Sequence, residues 1–158
     1  MIKDGCLEGI QEVYGLHNAD ACDEGVVALK SGTMGSAIAD ISITVKGKGG
    51  HSSLPHLAKD VISAGAAIIQ NLHLIQSRHV QSKENFILTI TKLHGGDCGN
   101  VFPDVAFLEG SIRCYSNEVY QQAIAKIREI AQSSASMLDC TAEVEVKSYY
   151  PAVVNHPK

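Results

Sequence analysis

Hydrophobic and polar residues alternate along residues 39–46, where Ala39, Ile41, Ile43 and Val45 are separated by polar side chains. A period of two predicts a strand with one buried face. After a glycine-rich turn, apolar side chains recur at helical spacing over residues 61–75, which predicts an amphipathic helix. Ser53 and Pro55 carry the side-chain chemistry of a helix start, so we expect the helix to begin near them.

The second half of the chain repeats these patterns. Strands are predicted over Phe86–Leu93 and Val105–Cys114, with a glycine-rich turn between them at residues 95–100. A helix capped by Ser116 follows, and the alternation in Ala142–Val146 predicts a last strand.

From residue 36 to 148 the element order is therefore β-α-β-β-α-β. This order predicts an α+β, ferredoxin-like domain, in which both helices cover one face of a four-stranded antiparallel sheet. The other face stays open and carries Phe107, which favours a partner there. We expect residues 36–46 to form an edge strand that needs covering or pairing. The segment before residue 33 is less regular and contains one strand candidate, Val13–Leu16.

The composition of the chain argues against several classes of function. The chain has 158 residues, 45% hydrophobic and 19% charged, with a formal net charge of −4, values typical of one globular domain. The negative charge argues against nucleic acid or an anionic membrane as partner, and no apolar run reaches the length of a membrane span. Five widely spaced cysteines indicate reduced thiols rather than a disulfide framework, and no secretory signal is recognised, so we expect a cytoplasmic location.

Three polar residues are candidates for chemistry. His51 follows the first strand on a glycine-rich turn, Asn100 lies in the turn before the third strand, and Arg113 lies near that strand's far end. If they converge, a histidine donor, an amide and a guanidinium suit a substrate with an amide and a carboxylate. The alternative is structural: His51 in an ordinary strand-to-helix loop, Asn100 in a turn and Arg113 on a solvated strand face.

His17, just after the apolar run at residues 13–16, is a candidate metal ligand. One histidine cannot hold a metal, and nothing else in the chain completes a convincing ligand set. A small metal carrier that uses His17 and Cys22 is an alternative.

Taken together, four ordered motifs resemble a known family. They are Gly15–Asn18, Gly47–His56, Gly99–Asp104 and Gly110–Arg113. The series is similar to the dimetal amidohydrolases of metallopeptidase family twenty, in the branch of hippurate hydrolase, N-acyl-amino-acid amidohydrolase and the indole-acetyl-amino-acid hydrolases. The similarity extends to Tyr150–Asn155.

The resemblance implies a role for each candidate residue. His17 matches a metal ligand at the edge of the catalytic domain. His51 matches a lid histidine that reaches into the partner subunit's active site and polarises the scissile carbonyl. Asn100 and Arg113 match residues that hold the substrate. An N-acyl amino acid substrate, a homodimer, and a divalent metal (Zn, Mn or Co) in the intact enzyme are implied as well.

The resemblance also implies a division of the chain. Residues 1–32 match a remnant of the catalytic domain, residues 33–149 the inserted dimerisation and lid domain, and residues 150–158 the return to the catalytic domain. The family's remaining metal ligands and its general base would lie outside this chain, so we expect the chain alone to bind no metal stably and to be inactive. The competing hypothesis is a stand-alone ferredoxin-like module that dimerises or binds a small ligand without catalysis.

Overall fold

The β-α-β-β-α-β unit is present in the computed structural model, which describes residues 2–157. The strands, in chain order, are β1 Gly32–Gly35, β2 Ala37–Lys46, β3 Gly50–His51, β4 Phe86–His94, β5 Val101–Phe102, β6 Val105–Cys114, β7 Thr141–Tyr150 and β8 Val153–Asn155. The helices are α1 Val61–Arg78 and α2 Asn117–Ser136, with short 3-10 turns at Ile2–Asp4 and Pro55–Leu57. The predicted fold class is confirmed.

The main sheet has the strand order β4-β6-β2-β7, and all its neighbours are antiparallel. The prediction that residues 36–46 form an edge strand is wrong, because β7 returns from α2 and pairs with the side of β2 that β6 leaves free. Ile41, for example, lies opposite Gly110 of β6 and Val146 of β7. The exposed edges of the sheet are therefore β4 and β7.

Both helices pack on one face of this sheet and on each other. Every second residue of β2 and β6 points into this layer, as the alternation predicts. The largest fully buried side chains are Phe86, Ile41, Ile43, Ile68, Leu72, Ile75, Leu108, Ile112, Ile127, Val45, Val61 and Cys114. Within residues 2–157, neither helix combines the length and apolar character that crossing a membrane requires.

The two helices differ in how well their starts were predicted. Ser116 caps α2 by accepting a hydrogen bond from the amide of Val119 at 3.3 Å, as expected. The prediction for α1 is wrong, because its cap is Asp60, whose Oδ1 accepts from the amides of Ile62 and Ser63 at 2.9 and 3.0 Å. A carboxylate is an equally good cap and lies directly before the apolar stripe, while Pro55 begins only the 3-10 turn.

The strand predicted at Val13–Leu16 does not form, and no strand precedes Gly32 in the described part of the chain. Val13, Tyr14 and Leu16 are 73%, 86% and 91% exposed. The reason is that no neighbouring strand lies beside them to accept and donate backbone hydrogen bonds. The ribbon formed by β1 and β8 is the only pairing between residues 2–35 and the chain's last described residues.

The cysteines are all free thiols among the described residues. Cys114 and Cys140 are 0% and 3% exposed, which confirms that they are small core residues. Burial raises the pKa of both thiols, so they carry less thiolate at a given pH than an exposed cysteine.

Gly110 occupies a position in β6 where the neighbouring edge strand comes unusually close. The register of β4 shifts between Ile90 and Lys92, opposite this glycine. A Cβ added at Gly110 would lie 2.2 Å from the Thr89 carbonyl oxygen and 2.9 Å from the Ile90 Cα. The irregularity in β4 therefore requires a residue without a side chain in β6.

Replacing Gly110 with alanine is expected to lower the free energy of unfolding by roughly 1–3 kcal/mol, because the backbone of β4 must move aside. Urea denaturation followed by circular dichroism measures the change. Gly99→Ala is the matched control, since nothing lies within 4 Å of a Cβ added there. Equal unfolding midpoints for the two variants would contradict the close approach at Gly110.

Candidate functional site

A two-stranded ribbon, β3 with β5, brings His51 and Asn100 to the same end of the domain. Gly50 pairs with Phe102 and His51 with Val101. One residue further on, the amide of Ser52 donates to the Asn100 carbonyl oxygen at 3.0 Å. The two predicted turns are thus hydrogen-bonded to each other, and the two candidate residues are neighbours.

The His51 ring is held in one orientation by Ser53. The Ser53 amide donates to Nδ1 at 3.2 Å, and Ser53 Oγ lies 2.7 Å from the same nitrogen. A backbone N–H can only donate, so Nδ1 is an unprotonated acceptor and the neutral ring carries its proton on Nε2. The exposed imidazole therefore presents an N–H donor to whatever approaches the ribbon.

The surroundings of His51 are exposed and partly apolar. Leu54, Leu57 and Val101 are 46%, 55% and 48% exposed, and the Asn100 side chain is exposed as well. The carboxamide of Asn100 offers both a donor and an acceptor, and no hydrogen bond from it is seen among the described residues. Such a rim around two polar groups is typical of a surface that closes over a ligand or another subunit.

The base of the ribbon continues the ladder between β2 and β6. Gly47 donates its amide to the Asp104 carbonyl oxygen at 2.8 Å, and Gly49 donates to Asp104 Oδ1 at 2.7 Å. On the other side, Lys48 and Lys59 exchange backbone hydrogen bonds of 3.2 and 2.8 Å. These bonds fix the direction in which the ribbon leaves the sheet.

The glycines of this turn are explained by crowding. A Cβ at Gly47 would lie 2.4 Å from the Lys59 carbonyl oxygen, and one at Gly49 would lie 2.8 Å from the Phe102 carbonyl oxygen. Side chains at these positions would push the ribbon away from the backbone segments that hold it. The glycine spacing is therefore a requirement of the ribbon's attachment.

A cavity of about 510 Å³ lies beside the ribbon. Its walls are formed by the second glycine-rich turn, by the start of α1 and by Ser52, the residue next to His51. It is widely open to solvent, unlike the clefts that enclose small molecules, so it is a surface groove next to the His51 loop.

Arg113 lies elsewhere. It is near the C-terminal end of β6, whereas Asn100 and the ribbon are at the strand's beginning at Val105. At the rise of a strand, Val105 and Arg113 are roughly 27 Å apart. The prediction that His51, Asn100 and Arg113 converge is therefore wrong within one chain. His51 and Asn100 lie at the beginning of β6, and Arg113 lies near its end.

The Arg113 guanidinium belongs to the open face of the sheet. Its cross-strand neighbours are Ile38 of β2 and Ile87 of β4, the latter 55% exposed. Further along this face, Tyr149 donates its hydroxyl to Asp40, and this hydrogen bond raises the pKa of the phenol. A cation flanked by one exposed and one half-buried isoleucine suits a ligand with a carboxylate and an apolar part.

His17 lies in the irregular segment before β1 and is exposed. Its Nδ1 is 2.5 Å from the carbonyl oxygen of Asn18. Across residues 2–157, no three His, Cys, Asp or Glu side chains gather as a metal-binding group. The described residues therefore do not form a metal centre by themselves, and the assignment of His17 as a ligand stays a prediction.

Two residues of this site were missed by the sequence analysis. Ser53 was interpreted as a helix start, yet it orients the His51 ring, and Asp104 was noted only as the end of a motif. An aspartate that directly follows Pro103 and precedes a strand is a signal that could have identified Asp104, because such positions often bind loop amides.

Comparison with known proteins finds that residues 34–136 match the peptidase dimerisation domain. The chain is 32% identical over 155 residues to an N-acetylcysteine deacetylase of Bacillus subtilis, covering 98% of this chain and 41% of that protein. It is 34% identical over 145 residues to an N-acetyldiaminopimelate deacetylase of Listeria welshimeri, covering 92% and 39%. The chain therefore spans about two fifths of the length of these relatives.

Solved structures agree with these matches. A protein assigned as an aminohydrolase from methicillin-resistant Staphylococcus aureus superposes with a TM-score of 0.93 at 31% identity, over 99% of this chain and 42% of that one. A dinuclear metal-binding peptidase of the M20 family from Bacillus subtilis superposes with a TM-score of 0.77 at 26% identity, over 99% and 38%.

The geometry predicts the tautomer of His51. With neutral imidazole, the ¹⁵N spectrum of the ring is expected to show a protonated Nε2 and an unprotonated Nδ1, because the Ser53 amide donates to Nδ1. His73, on the exposed face of α1, is the internal reference for an unconstrained ring. A His51 spectrum with the proton on Nδ1 would contradict the arrangement.

Proposed function

The chain belongs to the peptidase dimerisation domain family of the M20 peptidases, and from that premise we propose that it is the lid and dimerisation domain of an amidohydrolase acting on N-acyl amino acids. The motif resemblance is confirmed at the level of the family. The substrate class is our proposal, supported by curated relatives that are deacetylases of N-acetylated amino acids.

The observation that carries this proposal is that His51 and Asn100 lie next to each other at the exposed ribbon, with His51 opposite Val101 and the Ser52 amide bonded to the Asn100 carbonyl oxygen. The Nε2–H of His51 is a preorganised donor, since Ser53 occupies the other ring nitrogen. Placed against a scissile carbonyl oxygen, it stabilises the negative charge that develops when the amide is attacked. The Asn100 carboxamide contacts the same substrate with one donor and one acceptor.

Arg113 completes substrate binding in this proposal by holding the carboxylate of the amino acid through two parallel hydrogen bonds. Its distance from the ribbon means that one small substrate cannot touch His51 and Arg113 of the same chain. We therefore assign the two residues at each site to different subunits of a homodimer. The ribbon of one subunit then closes over a substrate whose carboxylate is bound by Arg113 of the other.

We propose that most of the ligands for the metal ions of the reaction are not among the described residues. His17 is the single candidate ligand that the motifs indicate, and no ligand group surrounds it. One structural relative is a dinuclear metal-binding peptidase, and we propose that the enzyme containing this chain likewise needs a divalent ion such as Zn, Mn or Co. The chain alone is accordingly proposed to be inactive, and its cytoplasmic location stays a prediction.

We retain the proposed division of the chain into residues 1–32, 33–149 and 150–158. The exposed apolar side chains before Gly32 are what a segment would show if its packing partners belonged to the catalytic domain. The β1–β8 ribbon pairs the start of the proposed inserted domain with the segment that follows it, so entry and exit lie side by side, as expected for a domain inserted into another.

In the enzyme that contains this chain, His51→Ala is expected to lower kcat by roughly 10²–10³, the usual effect of losing one oxyanion donor. KM should change far less, because the carboxylate contact at Arg113 remains. Steady-state hydrolysis of N-acetyl amino acids with added metal measures both constants. His73→Ala is the control, an exposed histidine on α1 distant from the ribbon.

An unchanged kcat for His51→Ala would show that the ribbon does not take part in the reaction. If the isolated chain hydrolyses the substrate and a chelator abolishes this turnover, the chain holds a metal centre of its own. That result would contradict the proposal that the chain alone is inactive.

A further inference from the structure

We propose that Asp104 is a positioning residue, whose carboxylate holds the His51 ribbon in the orientation in which Nε2 meets the substrate. This inference rests on the proposed function of His51. Asp104 lies between β5 and β6 and contacts the glycine turn twice. Its carbonyl oxygen accepts from Gly47 at 2.8 Å, and its Oδ1 accepts from Gly49 at 2.7 Å.

The Asp104 carboxylate holds Gly49, a residue of the turn that the Asp104 backbone carbonyl does not contact. The bond to Gly47 continues the ladder between β2 and β6 and would exist with any residue at position 104. The bond to Gly49 depends on the side chain and acts directly before Gly50 and His51. Glycines have no side chains that could pack and hold them, so the direction of this segment depends on its hydrogen bonds.

The length of this bond points to a strong contact. A donor–acceptor distance of 2.7 Å between Gly49 N and Asp104 Oδ1 is in the range of hydrogen bonds to charged acceptors, which are shorter and stronger than neutral ones. Asp104 is exposed and contributes nothing to the buried core. Its side chain is therefore not explained by packing.

Asp104 also connects the two halves of the site. It belongs to the same stretch as Asn100 and β5, while Gly49 leads into β3. The bond from Gly49 to Asp104 thus fixes the His51 side of the ribbon relative to the Asn100 side. It adds a side-chain contact to the backbone pairing of β3 with β5 and to the Ser52–Asn100 bond, and so restricts the remaining movement of His51 relative to Asn100.

Asp104→Ala removes the carboxylate and leaves the backbone bond to Gly47, so the fold should survive. In ¹⁵N-labelled chain, we expect the Gly49 amide to exchange with solvent roughly tenfold faster. We also expect the ring and amide resonances of His51 to shift, because the ribbon that carries it changes position relative to β5, while the local contact with Ser53 keeps the tautomer. Asp104→Asn keeps an oxygen acceptor and should restore part of both signals. Asp97→Ala, a carboxylate of the neighbouring turn, is the control.

Joint changes at Gly49 and His51 support the proposal. A change at Gly49 alone would overturn it, because Asp104 would then support only the turn, and no change at either would show that the contact is absent in solution. If Asp104→Ala does not fold, the same comparison is made with Asp104→Asn.

In the enzyme that contains this chain, Asp104→Ala should lower kcat at least about tenfold and leave KM within about twofold, because a misplaced donor weakens transition-state contact. A rise in KM with kcat unchanged would overturn the positioning role. An enzyme that hydrolyses no N-acyl amino acid would instead refute the proposed function, and the two failures are distinguishable because the NMR measurement needs no activity.

Discussion

The pairing of β2 with β6 is the constraint on which the rest of this structure depends. Its register runs without interruption from Ala37 opposite Cys114 to Lys46 opposite Val105, and the bond between Gly47 and Asp104 extends it by one more step. The β3–β5 ribbon is a continuation of this ladder beyond the sheet. One antiparallel pair thus builds the centre of the core and also determines where His51 stands.

The same pair explains why the candidate residues divide into two groups. Asn100 precedes β6 and Arg113 lies near its end, so the length of a single strand separates them. A rigid sheet cannot fold back to join them. Any chemistry that uses both residues on one small substrate therefore requires two copies of the chain, and dimerisation becomes part of the proposed mechanism.

The sequence predicts the fold well where burial imposes a period. The alternation in β2 and β6 and the stripes of α1 and α2 each follow from one buried face, and so does the fold class. Strand order is a tertiary property, which is why β2 was misplaced at an edge. The short apolar run at Val13–Leu16 shows a further limit, because local pattern carries no information on whether a partner strand exists.

The site was predictable in part for similar reasons. Glycine-rich turns predicted that His51 and Asn100 lie at the end of the sheet, where the structure brings them together, since such turns place polar residues there. The separation of Arg113 follows from the length of β6, the role of Ser53 depends on a local hydrogen bond to His51, and that of Asp104 depends on a hydrogen bond across the ribbon.

The measurement that tests the central claim most directly mixes two variants of the containing enzyme, His51→Ala and Arg113→Ala, assayed well below the wild-type KM, where each alone should lose most of its activity. If each site uses both subunits, random mixing should restore roughly a quarter of the wild-type activity, because half of the dimers then carry one intact site. No recovery, in dimers shown to exchange subunits, would contradict the account.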